Sequence, residues 1–170
     1  MIRETMEIGV LVEYRKLKNP WIDHAWMPSA VLVGAPAAAP WTVLDATPQA
    51  TRYYAGPFQL EFFSTDTGSY RDNLGSARPC IWVSLRPSDA PPGIALQTVT
   101  ADPAEGEALT EPGTDIIEAV PMPQAIQARL AAFVEAHHVE RPFTKRKRDR
   151  TDPEVLATGV RGSRISDGDG

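Results

Sequence analysis

The amino-acid sequence predicts an α+β domain: a mostly antiparallel sheet of about six or seven strands, partly barrel-like or sandwich-like, covered by one C-terminal amphipathic helix. Three observations lead there. Short β-branched or alternating apolar runs recur along the first 120 residues. No long helical pattern separates the early runs, which argues against parallel βαβ crossovers. One helical stripe follows them, with Ile126, Leu130, Phe133, Val134 and His137 at successive offsets of 4, 3, 1 and 3. The chain has 170 residues, enough for one core without disulfide staples.

The elements follow in order. Residues 7–15 read as a strand, with Ile8, Val10 and Val12 alternating with Gly9, Leu11 and Glu13. Residues 17–26 read as an irregular connection, since Asn19-Pro20 marks a turn and Pro20 moves Asn19 away from helix. A second strand is expected at 29–33, ending at Gly34, then a surface loop around Pro36 and Pro40, then a third strand at 41–44. Segments 51–55 and 58–64 flank Gly56-Pro57 and form either a hairpin or one long strand bent at that dipeptide. Residues 65–77, rich in Asp, Gly, Ser and Asn, read as a loop with at most one helical turn.

Pro79 then opens a strong strand at 80–86, and the Pro91-Pro92-Gly93 run breaks it from a strand at 94–100. Asp102 and Pro103 open a short helix that its glycine weakens. A last strand at 116–120 stops at Pro121, and Pro123 sits in the first turn of the helix over 123–137.

The expected organisation is a globular domain at 1–140, a basic arm at 141–157 and a disordered tail at 158–170. The net charge of −5 conceals an uneven distribution: residues 141–150 hold 6 basic residues against 1 acid, net +5, and the other 160 residues carry −10. Between residues 87 and 128 there is no Lys or Arg but 7 acids, either a solvated face or a surface for a basic partner or for the chain's own tail. This balance disfavours nucleic acid as a partner. The early acids and the lack of any long apolar run predict neither export signal nor membrane span, hence a cytoplasmic protein.

Chemistry-bearing patterns are sparse. Cys80 is the single cysteine, which excludes an internal disulfide and a multi-cysteine metal cluster, and its apolar strand makes it a buried, inert thiol. His24, His137 and His138 do not have the spacing of a metal site, because the last two point about 100° apart on a helix. The chain contains no phosphate-binding glycine loop and no nucleophile elbow. No catalytic residue, metal or cofactor is therefore assigned.

Protein docking is the best use of what remains. The candidate residues are Trp21, Asp23, His24 and Trp26 in the tryptophan-rich connection, and Tyr70, Arg71 and Asn73 in the 65–77 loop. In the arm they are Arg141, Phe143, Lys145, Arg146, Lys147, Arg148 and Arg150, steering charges around an aromatic anchor. Asn73 serves equally well as a cap or turn residue. Self-association is left open. An enzyme or chaperone handling a nucleotide or molybdopterin is the alternative; it requires one concave pocket joining Asp23, His24, Arg71 and Asn73.

Several stretches taken together resemble the bacterial family known as domain of unknown function 3305. They are Gly9-Val-Leu-Val-Glu-Tyr-Arg, Asn19-Pro-Trp-Ile-Asp-His-Ala-Trp, Ala30-Val-Leu, Tyr70-Arg-Asp-Asn-Leu, Ile81-Trp-Val-Ser-Leu-Arg and the run from His137 to Arg150. The resemblance covers most of residues 7–150. It implies association with molybdenum-dependent formate dehydrogenase, since members are typically encoded beside its genes. The expected role is a non-enzymatic accessory or assembly protein docking on that dehydrogenase or its maturation factors, with a small structural subunit as a further alternative.

Overall fold

A computed structural model describes residues 1–111 and 113–140. Among them the elements run β1 (Arg3–Lys16), β2 (His24–Val33), β3 (Thr42–Ala46), β4 (Ala50–Phe63), α1 (Thr67–Leu74), β5 (Cys80–Pro87), β6 (Ile94–Thr100), α2 (Pro103–Leu109), β7 (Ile116–Pro121) and α3 (Gln124–His137). A turn of 3-10 helix, Ser64–Asp66, leads into α1. The compact unit spans Met1–Val139. The basic arm and tail assigned to 141–157 and 158–170 lie outside the described residues.

The strands form two antiparallel sheets, ordered β2-β1-β4-β3 and β6-β5-β7, with no closed barrel among the described residues. Strand β7 runs beside β2 and β6 beside β4, so apolar side chains of the two sheets share one core. Alternation supplies that core: Ile8, Val10 and Val12 from β1, Leu60 and Phe62 from β4, and Ile81, Val83 and Leu85 from β5 are all fully buried. In α3 the same is true of Ile126 and Leu130, while Arg129 on its exposed side donates to Glu4 of β1 at 2.6 Å.

The open choice at Gly56-Pro57 resolves as one strand. β4 is 14 residues long and pairs with β1 from Phe63 to Ala50. The dipeptide does not break it because Gly56 takes φ +132°, a conformation that only glycine adopts cheaply, and a bulge absorbs one residue there.

Residues 65–77 differ from the expected loop. Poor helix formers occupy α1, yet Thr67, Tyr70 and Asn73 recur every third residue and are all buried, so packing along one face holds a helix that propensity would not. The domain is thus not covered by a single helix. The connection expected to run to Trp26 is also shorter, for β2 begins at His24.

The glycine of α2 has a packing reason. A Cβ on Gly106 would stand 2.4 Å from the Trp82 indole, so its absence lets the helix lie directly on that half-buried ring.

Candidate docking face

The candidate residues separate to the two ends of the β1–β4 ladder. Lys16 pairs with His24 at one end, while at the other Arg3 pairs with Phe63, from which the chain turns into α1. A strand of 14 residues runs about 40 Å. Asp23 and His24 therefore cannot line one pocket with Arg71 and Asn73, and the pocket required by nucleotide or molybdopterin handling does not form.

At the α1 end the polar groups are used internally. Asn73 is 3 % exposed; its amide nitrogen donates to the carbonyls of Cys80 and Ala101, each at 2.8 Å, and its oxygen accepts from the Cys80 N–H at 3.1 Å. It thereby ties α1 to the start of β5 and the end of β6. The hydroxyl of buried Tyr70 accepts from the Phe63 N–H at 3.1 Å, and burial pushes its pKa up to about 12. Neither side chain stands at a surface that a partner reaches. Cys80 is half-buried and burial pushes its thiol up, so it is not poised as a nucleophile.

Arg71 is exposed and reaches His138 at the end of α3, with Nη1 3.0 Å from Nε2. Since a guanidinium only donates, Nε2 accepts, and Nδ1–H donates to the Thr67 hydroxyl at 3.0 Å. His137 instead packs on Phe133, ring centroids 4.6 Å apart. No three of His, Cys, Asp and Glu gather as a metal-binding group among the described residues.

The opposite end is an aromatic face. Tyr14 stacks on His24 at 4.7 Å and 10°, and touches Trp26 at 4.6 Å. Trp26 meets Tyr53 at 5.4 Å and Trp41 at 5.8 Å, and Trp41 closes the cluster on Tyr53 at 6.1 Å. The rings continue the core-facing side of sheet β2-β1-β4-β3 toward its end, where they are only half-buried. Their hydroxyl and indole N–H groups have no hydrogen-bond partner among the described residues and remain open to solvent.

Two bulges assemble this face. Opposite Val10, Leu11 and Val12, the register of β2 slips past Ser29 and that of β4 past Ala55. Each slip exchanges the residues that look inward for those that look outward. Trp26 and Tyr53 consequently join Tyr14 on one side, while Tyr54 turns to the other and is buried. Trp41 is held at φ +67°, a left-handed conformation costly for a bulky side chain, with its backbone N–H donating to the Tyr54 carbonyl.

Around the rings lie exposed groups. Trp21, at the tip of the β1–β2 connection, is 89 % exposed, and Val43 and Leu44 of β3 are about half exposed. Asp23 is exposed, its carbonyl accepting from the Leu17 N–H at 2.8 Å. Tyr14 and His24 also border a recess of about 50 Å³ walled by residues 47–51. On the reverse side Glu13 is nearly buried between Arg15 at 2.5 Å and Arg52 at 3.4 Å, which hold its carboxyl below the usual carboxylate range.

Sequence reasoning found Trp21, His24 and Trp26 but passed over Tyr14 and Tyr53. Their aromatic character was a usable signal; which face each occupies was not.

These features define a two-sheet α+β domain whose exposed chemistry is an aromatic sheet end. The chain belongs to the family described as protein of unknown function (DUF3305), whose model matches residues 7–147. No curated protein and no solved structure matches it.

Proposed function

We propose that this chain is a non-enzymatic accessory or assembly protein that docks on a molybdenum-dependent formate dehydrogenase or its maturation factors. The observation that carries the docking role is the aromatic face: five half-exposed or exposed rings, contiguous with the core, with an almost fully exposed Trp21 in the β1–β2 connection three residues before His24. Rigid rings anchored in a core and open to solvent are the residue types that concentrate binding energy at protein interfaces. The dehydrogenase as partner rests on the family resemblance, and the basic arm's part in docking rests on its charge and on Phe143. No helix among the described residues is long and apolar enough to cross a membrane; the proposed site of action is cytoplasmic.

Native mass spectrometry of the dehydrogenase purified with this chain tests the reading, since partner, stoichiometry and any bound cofactor appear together. The Trp21→Ala/Val43→Ser double variant alters only exposed side chains. It is expected to lower capture of the dehydrogenase or maturation factor by about tenfold or more. Undiminished capture, or no capture by the unaltered chain, overturns the proposal.

A further inference from the structure

The charges around the aromatic face indicate what kind of segment it takes. Residues 1–140 carry 9 basic and 17 acidic side chains, and 4 of those 9 cations, Arg15, Lys16, Lys18 and Arg52, stand at this end of the sheet. Arg15 and Arg52 are committed to Glu13 on the reverse side. Lys16 lies on the aromatic side, opposite His24, with Lys18 two residues on, and neither has a carboxylate partner among the described residues. Asp23 and Asp45 are the exposed acids of this end, and Asp45 lies opposite Arg52 in the ladder. Lys16 thus borders the rings of an otherwise acidic domain, with Lys18 in the connection that follows β1.

The adjoining edge offers a backbone register. All five residues of β3 are exposed, and no described strand pairs with its outer side. An extended chain can add there, beside Trp41 and Tyr53.

We infer that this aromatic face receives an extended acidic segment of the partner protein, with its apolar side chains between the tilted rings and its carboxylates against Lys16 and Lys18. The inference rests on the docking role proposed above and adds the chemistry of the docked segment. Complementary charge there steers encounter and fixes register. Single-stranded nucleic acid fits less well. Base stacking needs open ring faces, whereas His24 covers one face of Tyr14 and Trp41 meets Trp26 and Tyr53 nearly edge-on, at 73° and 66°.

The test uses the full chain and follows the indole N–H resonances by NMR, which separates this face from any binding by the basic arm. The probes are a synthetic peptide of glutamate, leucine and proline, its lysine counterpart, and oligothymidylate. The acidic peptide is expected to shift Trp26 and Trp41 while leaving Trp82 in place. Its affinity should fall about tenfold in Lys16→Glu/Lys18→Glu and weaken with added salt. No shift with the acidic peptide, an equal response to the lysine peptide, or a response to oligothymidylate alone overturns the inference. If Trp21→Ala/Val43→Ser still loses the dehydrogenase while the acidic peptide moves nothing, only the acidic-segment inference falls. Intact capture by that variant removes the docking role itself.

Discussion

At the α1 end of the domain, Tyr70 and Asn73 turn inward, and the Asn73 amide makes three hydrogen bonds to backbone at the starts and ends of neighbouring strands. At the other end of the same ladder, Tyr14, Trp26, Trp41 and Tyr53 pack on one another yet leave their hydroxyl and indole N–H groups unused among the described residues. Both ends began as polar-aromatic stretches with similar claims to function. The difference teaches that satisfaction separates them: a buried polar group with every partner in place serves the fold, whereas amphipathic rings left with open donors are available to something else.

The most forceful way to break that contrast is Asn73→Ala. It strips partners from the Cys80 and Ala101 backbone in a buried setting and is expected to cost about 3 kcal/mol, read by urea denaturation. Partner capture per folded molecule should not change. A variant of full stability that loses its partner would reverse the roles assigned to the two ends.

Tyr70→Phe comes next. It orphans the Phe63 N–H and should cost about 1 kcal/mol at neutral pH. Its alkaline behaviour sharpens the test. The Tyr70 pKa is raised from 10.0 to about 12, so the unfolded chain loses this proton first as pH climbs. The resulting stabilisation is full below pH 10 and disappears as pH rises through about 12. Denaturation midpoints should therefore fall more steeply across that range for the native protein than for the variant. Parallel curves would show that the hydroxyl is not buried as described.

Glu13→Gln probes the underside of the aromatic end. Because Arg15 and then Arg52 lower the Glu13 pKa, its contribution is present above the ordinary carboxylate range and is lost as pH falls through the lowered folded value. With both arginines about half exposed, the cost near neutral pH is expected to be at most about 1 kcal/mol, shrinking toward zero in acid. A thermal-melt difference that persists below the titration would contradict the ion-pair account.

The smallest expected effect on stability belongs to Trp21→Ala. An indole that is 89 % exposed should change stability by no more than about 0.5 kcal/mol. If calorimetry instead shows a large loss, the tip is part of the fold and the contrast between the two ends fails.

Much of this was legible in order along the chain. The strands, the apolar stripe of α3 and the cap formed by Asp102, whose carboxylate accepts from the Ala104 N–H at 2.9 Å, follow from local periodicity and capping chemistry. Helix α1 was not, because Gly68, Ser69, Asp72 and Asn73 favour a loop and only burial of one face overrides them. The separation of Asp23 and His24 from Arg71 and Asn73 could not be read either, since no local pattern tells which end of a long strand a distant loop returns to.

The residue order alone determined the class of fold, because alternation and helical spacing are properties of neighbours. It also determined the uneven charge, because charge is carried by the residues themselves. Tertiary structure decided what the aromatic residues do. The bulges at Ser29 and Ala55 each insert one residue against β1 and invert the alternation beyond it, bringing Trp26 and Tyr53 beside Tyr14. That inversion exists only in the pairing between strands, so it could be settled only once β1 lay between both of its partners.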